Sequence, residues 1–230
     1  MHPRHQARAL LFCACERKFG YDRSVIYICG IIQANMTKGE ETRQFIIERS
    51  AAIFNKKGIA ATAMSDIMEA TKLSKGSLYV HFDNKDVLTA SVVDYNMEQL
   101  SAKVQTALSK CNTAKDKLFA FIDVLGDPMN PPVDGGCPMI NFGMEADDTN
   151  EVIRNKASRG VERSQQIIAD VIKEGITRGE FKPDWNYKEF ATIMFAMLEG
   201  GIMMSRIVGN NSKMRIITAN LKKMITGQLS

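Results

Sequence analysis

Two short helical signals joined by a tight turn place the narrowest limit on what this chain can fold into. In "SDIMEAT" Ile67 and Ala70 face the same way, Ser65 reads as an N-cap, and Asp66 and Glu69 stand in the first turns, where free N–H groups and the helix dipole favour acid. A "TKLS" turn follows, and then "KGSLYVHF". At about 100° per residue, Leu78 and Phe82 fall on one face of this second helix and can pack against Ile67 and Phe54. Gly76, Ser77 and Val80 fall on the opposite face, with Tyr79 and His81 on its two shoulders. Helix, tight turn and short helix make a helix-turn-helix.

The outer face of residues 75–82 has the chemistry of a helix that enters a major groove. Gly76 lets the backbone approach closely, Tyr79 and His81 can reach the two phosphate walls, and Lys75 can donate to a guanine edge or a phosphate. Lys85 adds charge beside free N–H groups at the start of the next helix, a natural phosphate site. Thr62, ahead of the first of the two helices, is a further phosphate candidate, and Ser77 completes the outward face.

The rest of the chain after Met36 has helical texture. Ile47, Ala51 and Phe54 recur at i, i+4, i+7, and Gly58 ends that helix. Asn84 opens a helix of about 24 residues. "NTAKDKLFAFIDVLGD" is a helix stopped by Gly126, and "PMNPPVDGGCP" is a loop. A short apolar helix, a long amphipathic one ending near Gly179, a very apolar one over residues 187–208 and a closing helix complete the chain. No run alternates as a strand, and no repeat appears. The predicted class is all-α: a leader over 1–35 outside the fold, a helix-turn-helix domain over 36–88, and a larger helical domain over 89–230.

Charge and composition narrow the function. The net charge is +4, and the first 35 residues, with five Lys/Arg and two Asp/Glu, carry +3 of it. A body at +1 with a large apolar C-terminal part suits a localised nucleic-acid contact better than a non-specific polycation. His81 is the only histidine after residue 35, and there is no P-loop, dinucleotide fingerprint or HExxH, so an enzyme is not expected, nor a metal or cofactor. The apolar run near Ile193–Val208 is interrupted by Glu199 and Arg206 and reads as a buried helix rather than a membrane span. Cys13, Cys15, Cys29, Cys111 and Cys137 form no CxxC pair, which suits reduced thiols in the cytoplasm.

"TAMSDIMEATKLSKGSLYVHFDNKDVL" resembles the DNA-binding region of the TetR family of bacterial transcription regulators. Thr62, Ile67, Leu73, Ser74, Gly76, Ser77, Leu78, Tyr79, His81, Phe82, Lys85 and Leu88 match its pattern; Ala70–Thr71, in place of a frequent Ala-Gly pair, departs from it. The resemblance implies a homodimer on palindromic double-stranded DNA, and a C-terminal domain in which a small-molecule effector releases the operator. "GGCPMINFGMEADD" is similar to a subset of the family with a Gly-Cys-Pro/Leu segment. The expected role is a repressor, with an activator of the same fold as the alternative. Candidate effector contacts are Phe119, Ile122, Cys137, Met139, Phe142, Trp185 and Met194. Candidate dimer contacts are Ile193, Met197, Gly200, Gly201 and Met204, on helices over about 149–178 and 186–207. Cys137, at a helix start where the dipole lowers a thiol pKa, is a second alternative as a redox or electrophile sensor.

Overall fold

The computed structural model describes residues 36–230, and the leader expected over 1–35 lies outside the described residues. By its contacts the chain divides into Met1–Gln44 and Phe45–Ser230. Of the first unit only 36–44 are described, and they enter α1 through a Thr37 cap whose N–H donates to the Glu40 carboxylate at 2.7 Å. Both cores and every candidate site residue belong to the second unit.

The described residues form nine helices: α1 Lys38–Lys57, α2 Met64–Thr71, α3 Lys75–His81, α4 Lys85–Leu108, α5 Ala114–Leu125, α6 Pro138–Ala146, α7 Glu151–Thr177, α8 Tyr187–Val208 and α9 Ser212–Thr226. Short polar residues start several of them, Asn84 as expected. Asn84, Thr113, Asn150 and Asn186 each accept a backbone N–H of the first turn of α4, α5, α7 and α8. The expected cap of α2 shifts: Ala63, not Ser65, is the N-cap residue, because the Asp66 carboxylate reaches back to the Ala63 N–H at 2.9 Å. The departure from the usual turn also moves, to Lys72, a non-glycine residue held at φ 58°. Thr71 is buried, with its hydroxyl donated to the Ile67 carbonyl.

Two cores form. Ile46, Ile47, Phe54, Ile67, Leu78, Phe82, Leu88, Val92 and Val93 build the first, and Phe142, Ala146 and Ile153 from α6 and α7 complete it. The second joins α4, α5, α7, α8 and α9 around Leu118, Ile122, Ile168, Ile172, Met194, Leu198, Leu221 and Ile225. α8 is long and apolar enough to cross a membrane by length and composition alone, but Phe190, Met194, Phe195, Leu198 and Ile202 are packed into this core. Within it, Gly201 lies where a Cβ would come 2.8 Å from Met214 Sδ, so this glycine lets α9 approach within the chain. The chain end is pinned by an antiparallel bridge between Phe181 and Leu229.

Candidate nucleic-acid interface and effector cavity

α3 is short, and its two faces are sharply different. Ser74 caps it by accepting the Ser77 N–H at 3.2 Å, and Phe82 ends it in extended conformation. Leu78 is wholly buried, whereas Gly76 and Val80 stand on the open side and a Cβ at Gly76 would meet nothing within 4 Å. Tyr79 is exposed, with Lys75 Nζ 5.9 Å from its ring centre. His81 and Lys85 are half-buried on the far flank. Lys75 and Gly76 thus stand at the start of α3, Tyr79 on its exposed side, and His81 and Lys85 at and beyond its far end. Thr62 is not: it is buried, and its hydroxyl donates to the Gly58 carbonyl at 2.6 Å, so it has no hydroxyl to offer a phosphate.

The α1–α2 turn behind α3 is held from the other part of the molecule. Both oxygens of Glu145, on α6, accept backbone N–H groups of the turn, from Ile59 and Ala60, each at 2.7 Å. Gly58, at φ 84°, lies where a Cβ would come 2.7 Å from the same carboxylate. Next to it, the Asn55 side chain donates to the carbonyls of Asp134 and Gly136, and Asn141 donates back to Asn55. Sequence reasoning missed these residues because each contact joins positions about 80 apart, beyond the reach of any local pattern.

A cavity of about 450 Å³ opens between α4, α5, α6 and α7. Met97, Leu100, Val104, Phe121, Leu125, Met139 and Ile167 provide its apolar wall, and Gly160 and Ser164 line it on the α7 side, where a Cβ at Gly160 would come 3.1 Å from Met139 Sδ. Its polar boundary holds the Asp94–Lys156 ion pair, at 2.6 Å, with Glu98, Arg159 and Arg163. Of the expected effector contacts only Met139 is part of it. Ile122 and Met194 are filled core positions, and Phe142 belongs to the first core. Trp185 is wedged between Phe181 and Phe190, with ring centres 4.9 and 4.8 Å away. Phe119 lies under the Lys115 and Lys222 ammonium groups. In the sequence, Gly160 and Ser164 stand out only as two small residues at i, i+4 inside a long helix.

Cys137 borders a separate, much smaller void and is buried, with Sγ 3.3 Å from Glu199 Oε1. Burial, and then the adjacent carboxylate, push its thiol well above the usual range. The thiolate expected from the helix start is therefore disfavoured. Burial likewise raises Glu199, to about 7, and its Oε2 has no hydrogen-bond partner among the described residues.

On the outside of α8, Ile193 is exposed, a Cβ at Gly200 would meet open space, and Met204 and Met197 are half-buried. Ile207 on α8 and Ile216 on α9 are also exposed apolar side chains, with 78% and 65% of their areas open. Gly201 is the exception among the expected dimer contacts, being turned inward onto α9. α7, also expected there, instead presents a largely polar outer face of Glu162, Gln166, Asp170 and Lys173.

Comparison with known proteins agrees with this architecture. A family model described as bacterial regulatory proteins, tetR family, matches residues 46–92, and one described as a tetracyclin repressor-like C-terminal domain matches 114–221. A crystal structure of a TetR-family transcriptional regulator from Cytophaga hutchinsonii is 35% identical, with a TM-score of 0.79, covering 85% of this chain and 98% of that one. The chain belongs to the TetR family. A TetR regulator from Chloroflexus aurantiacus is also 35% identical, with a TM-score of 0.80 over 84% of this chain and 98% of its own. The transcriptional repressor DhaR of Mycobacterium sp. strain GP1 is 25% identical over 73% of this chain and 84% of its own length. This TetR-family chain is accordingly a helix-turn-helix DNA-binding transcriptional regulator, and its relatives are regulators rather than enzymes.

Proposed function

We propose that the protein is a cytoplasmic repressor that binds a palindromic operator as a homodimer and lets go when a small molecule occupies the cavity between α4 and α7. The observation that carries the reading is the continuity of α4. It starts shortly after α3 ends, and its middle supplies Met97, Leu100 and Val104 to the cavity wall. A ligand that moves the middle of α4 moves the reading head with it. α6 offers a second route, because Met139 is in the cavity wall while Glu145, on the same helix, holds the α1–α2 turn.

The DNA contacts are assigned to Lys75, Gly76, Ser77, Tyr79, His81 and Lys85, with Thr62 left out. The helix-turn-helix part is placed at 36–88 and the regulatory part at 89–230, with the first core shared between them through Phe142 and Ile153. The apolar surface of Ile193, Gly200, Ile207 and Ile216 is assigned to the partner protomer, a two-fold contact that suits a palindrome. Coupling must be reciprocal: operator weakens effector binding by the factor by which effector weakens operator binding. The test is selection of a random duplex library on the purified protein. A palindromic consensus with half-sites about 34 Å apart is expected; retention without consensus would leave phosphate contacts alone and end the operator reading.

A further inference from the structure

We infer that Val80 reads the C5-methyl group of a thymine in each operator half-site. This rests on the proposal that α3 enters the major groove. Val80 is 80% exposed, more than any other large apolar side chain among the described residues, and it lies across α3 from the wholly buried Leu78. One turn earlier on the same face is Gly76, with open space where a side chain would be. The most forward feature of the helix is therefore an isopropyl group next to bare backbone. The polar groups are displaced to the flanks, where Lys75 is drawn over the Tyr79 ring.

That surface has a particular complement. Among the groups on major-groove base edges, the thymine methyl is the apolar one; guanine, adenine and cytosine present acceptors and donors. A valine set against those edges strips water from a polar group and returns no hydrogen bond. Against a thymine methyl it buries apolar surface on both sides. Its branched side chain is stiff about χ1, so little rotamer freedom is lost on contact.

The experiment uses the full chain and its selected operator. Each thymine of a half-site is replaced in turn by deoxyuridine, which keeps the pairing and removes only the methyl group. The expected result is one thymine per half-site whose replacement weakens binding roughly three- to fourfold, and about tenfold when replaced in both half-sites. That dependence disappears in Val80→Ser and persists in Val80→Ile. Val80 is outside both cores, and a circular dichroism spectrum checks that the variants fold. Uniform indifference to deoxyuridine in the native protein overturns the inference while leaving the operator reading intact. So does a methyl dependence that Val80→Ser retains. Failure to select any consensus overturns both.

Discussion

Glu199→Gln is the substitution with the clearest expected consequence. Glu199 is half-buried on α8, its Oε1 accepts the Cys137 thiol, and its buried Oε2 has no partner among the described residues. Burial raises the carboxyl from an ordinary 4.5 to about 7. The unfolded chain gives up this proton near pH 4.5, whereas the folded chain holds it to about 7. Between those values the native state binds more protons, so stability falls as pH rises, and the contribution is gone above pH 7. A rise of this size corresponds to about 3 kcal/mol. Glutamine keeps the shape and does not titrate. Its amide N–H groups find no ready acceptor, which costs about 1 kcal/mol at any pH. The variant should match or slightly trail the native protein near pH 5 and exceed it by about 2 kcal/mol near pH 8.

Urea unfolding measures this at a fixed protomer concentration, because association in the proposed dimer would make apparent stability concentration-dependent. With a slope of about 2 kcal/mol per molar, the gain near pH 8 is roughly a 1 M increase in midpoint. Asp66, Asp127, Asp134 and Glu174 are lowered by hydrogen bonds and ion pairs and titrate below this pH window, and Cys137 is raised above it. A native midpoint that does not fall between about pH 5 and 8, or a variant that runs parallel to it throughout, would refute the reasoning.

Four further outcomes are expected. Glu145→Ala removes two charge-assisted hydrogen bonds to the α1–α2 turn, at a cost of about 2–4 kcal/mol locally; amide exchange at Ile59 and Ala60 should accelerate strongly, while amides in the α8 core stay protected. Gly135→Ala places a side chain at φ 125° with its Cβ 2.6 Å from the Asn55 carbonyl oxygen, and should lower stability by more than about 2 kcal/mol in thermal unfolding. Ile207→Glu combined with Ile216→Glu should give a monomer by light scattering with unchanged helix content. Lys75→Ala should reduce the slope of log affinity against log salt by about one per protomer if Lys75 contacts a phosphate, and leave the slope nearly intact if it contacts a base.

The helix order and the two-faced character of α3 were both legible in the sequence, because each arises from local periodicity and caps. Leu78 had to turn inward and Val80 outward for the same short helix to pack at all. Asn84 and Gly126 marked helix ends through hydrogen bonds made within one turn. Where a local signal failed, as with Ser65, a competing side chain three residues from the cap position had taken over its role.

The sites in the C-terminal part depended on tertiary structure. Periodicity separates the inward from the outward side of one helix, but a cavity is the space that four helices leave unfilled. Phe142 and Met139 are three residues apart on α6, yet one completes the first core and the other lines the cavity, according to the helices each meets. Gly201 and Gly200 are adjacent, and one receives α9 while the other is open. Cys137 is at a helix start, as its sequence indicates, but the low dielectric around it and the carboxylate of Glu199, 62 residues later, reverse the expected effect on its thiol. Sequence by itself determined the helices and which face of α3 is exposed; only their packing decided which inward-facing residues fill space and which surround it.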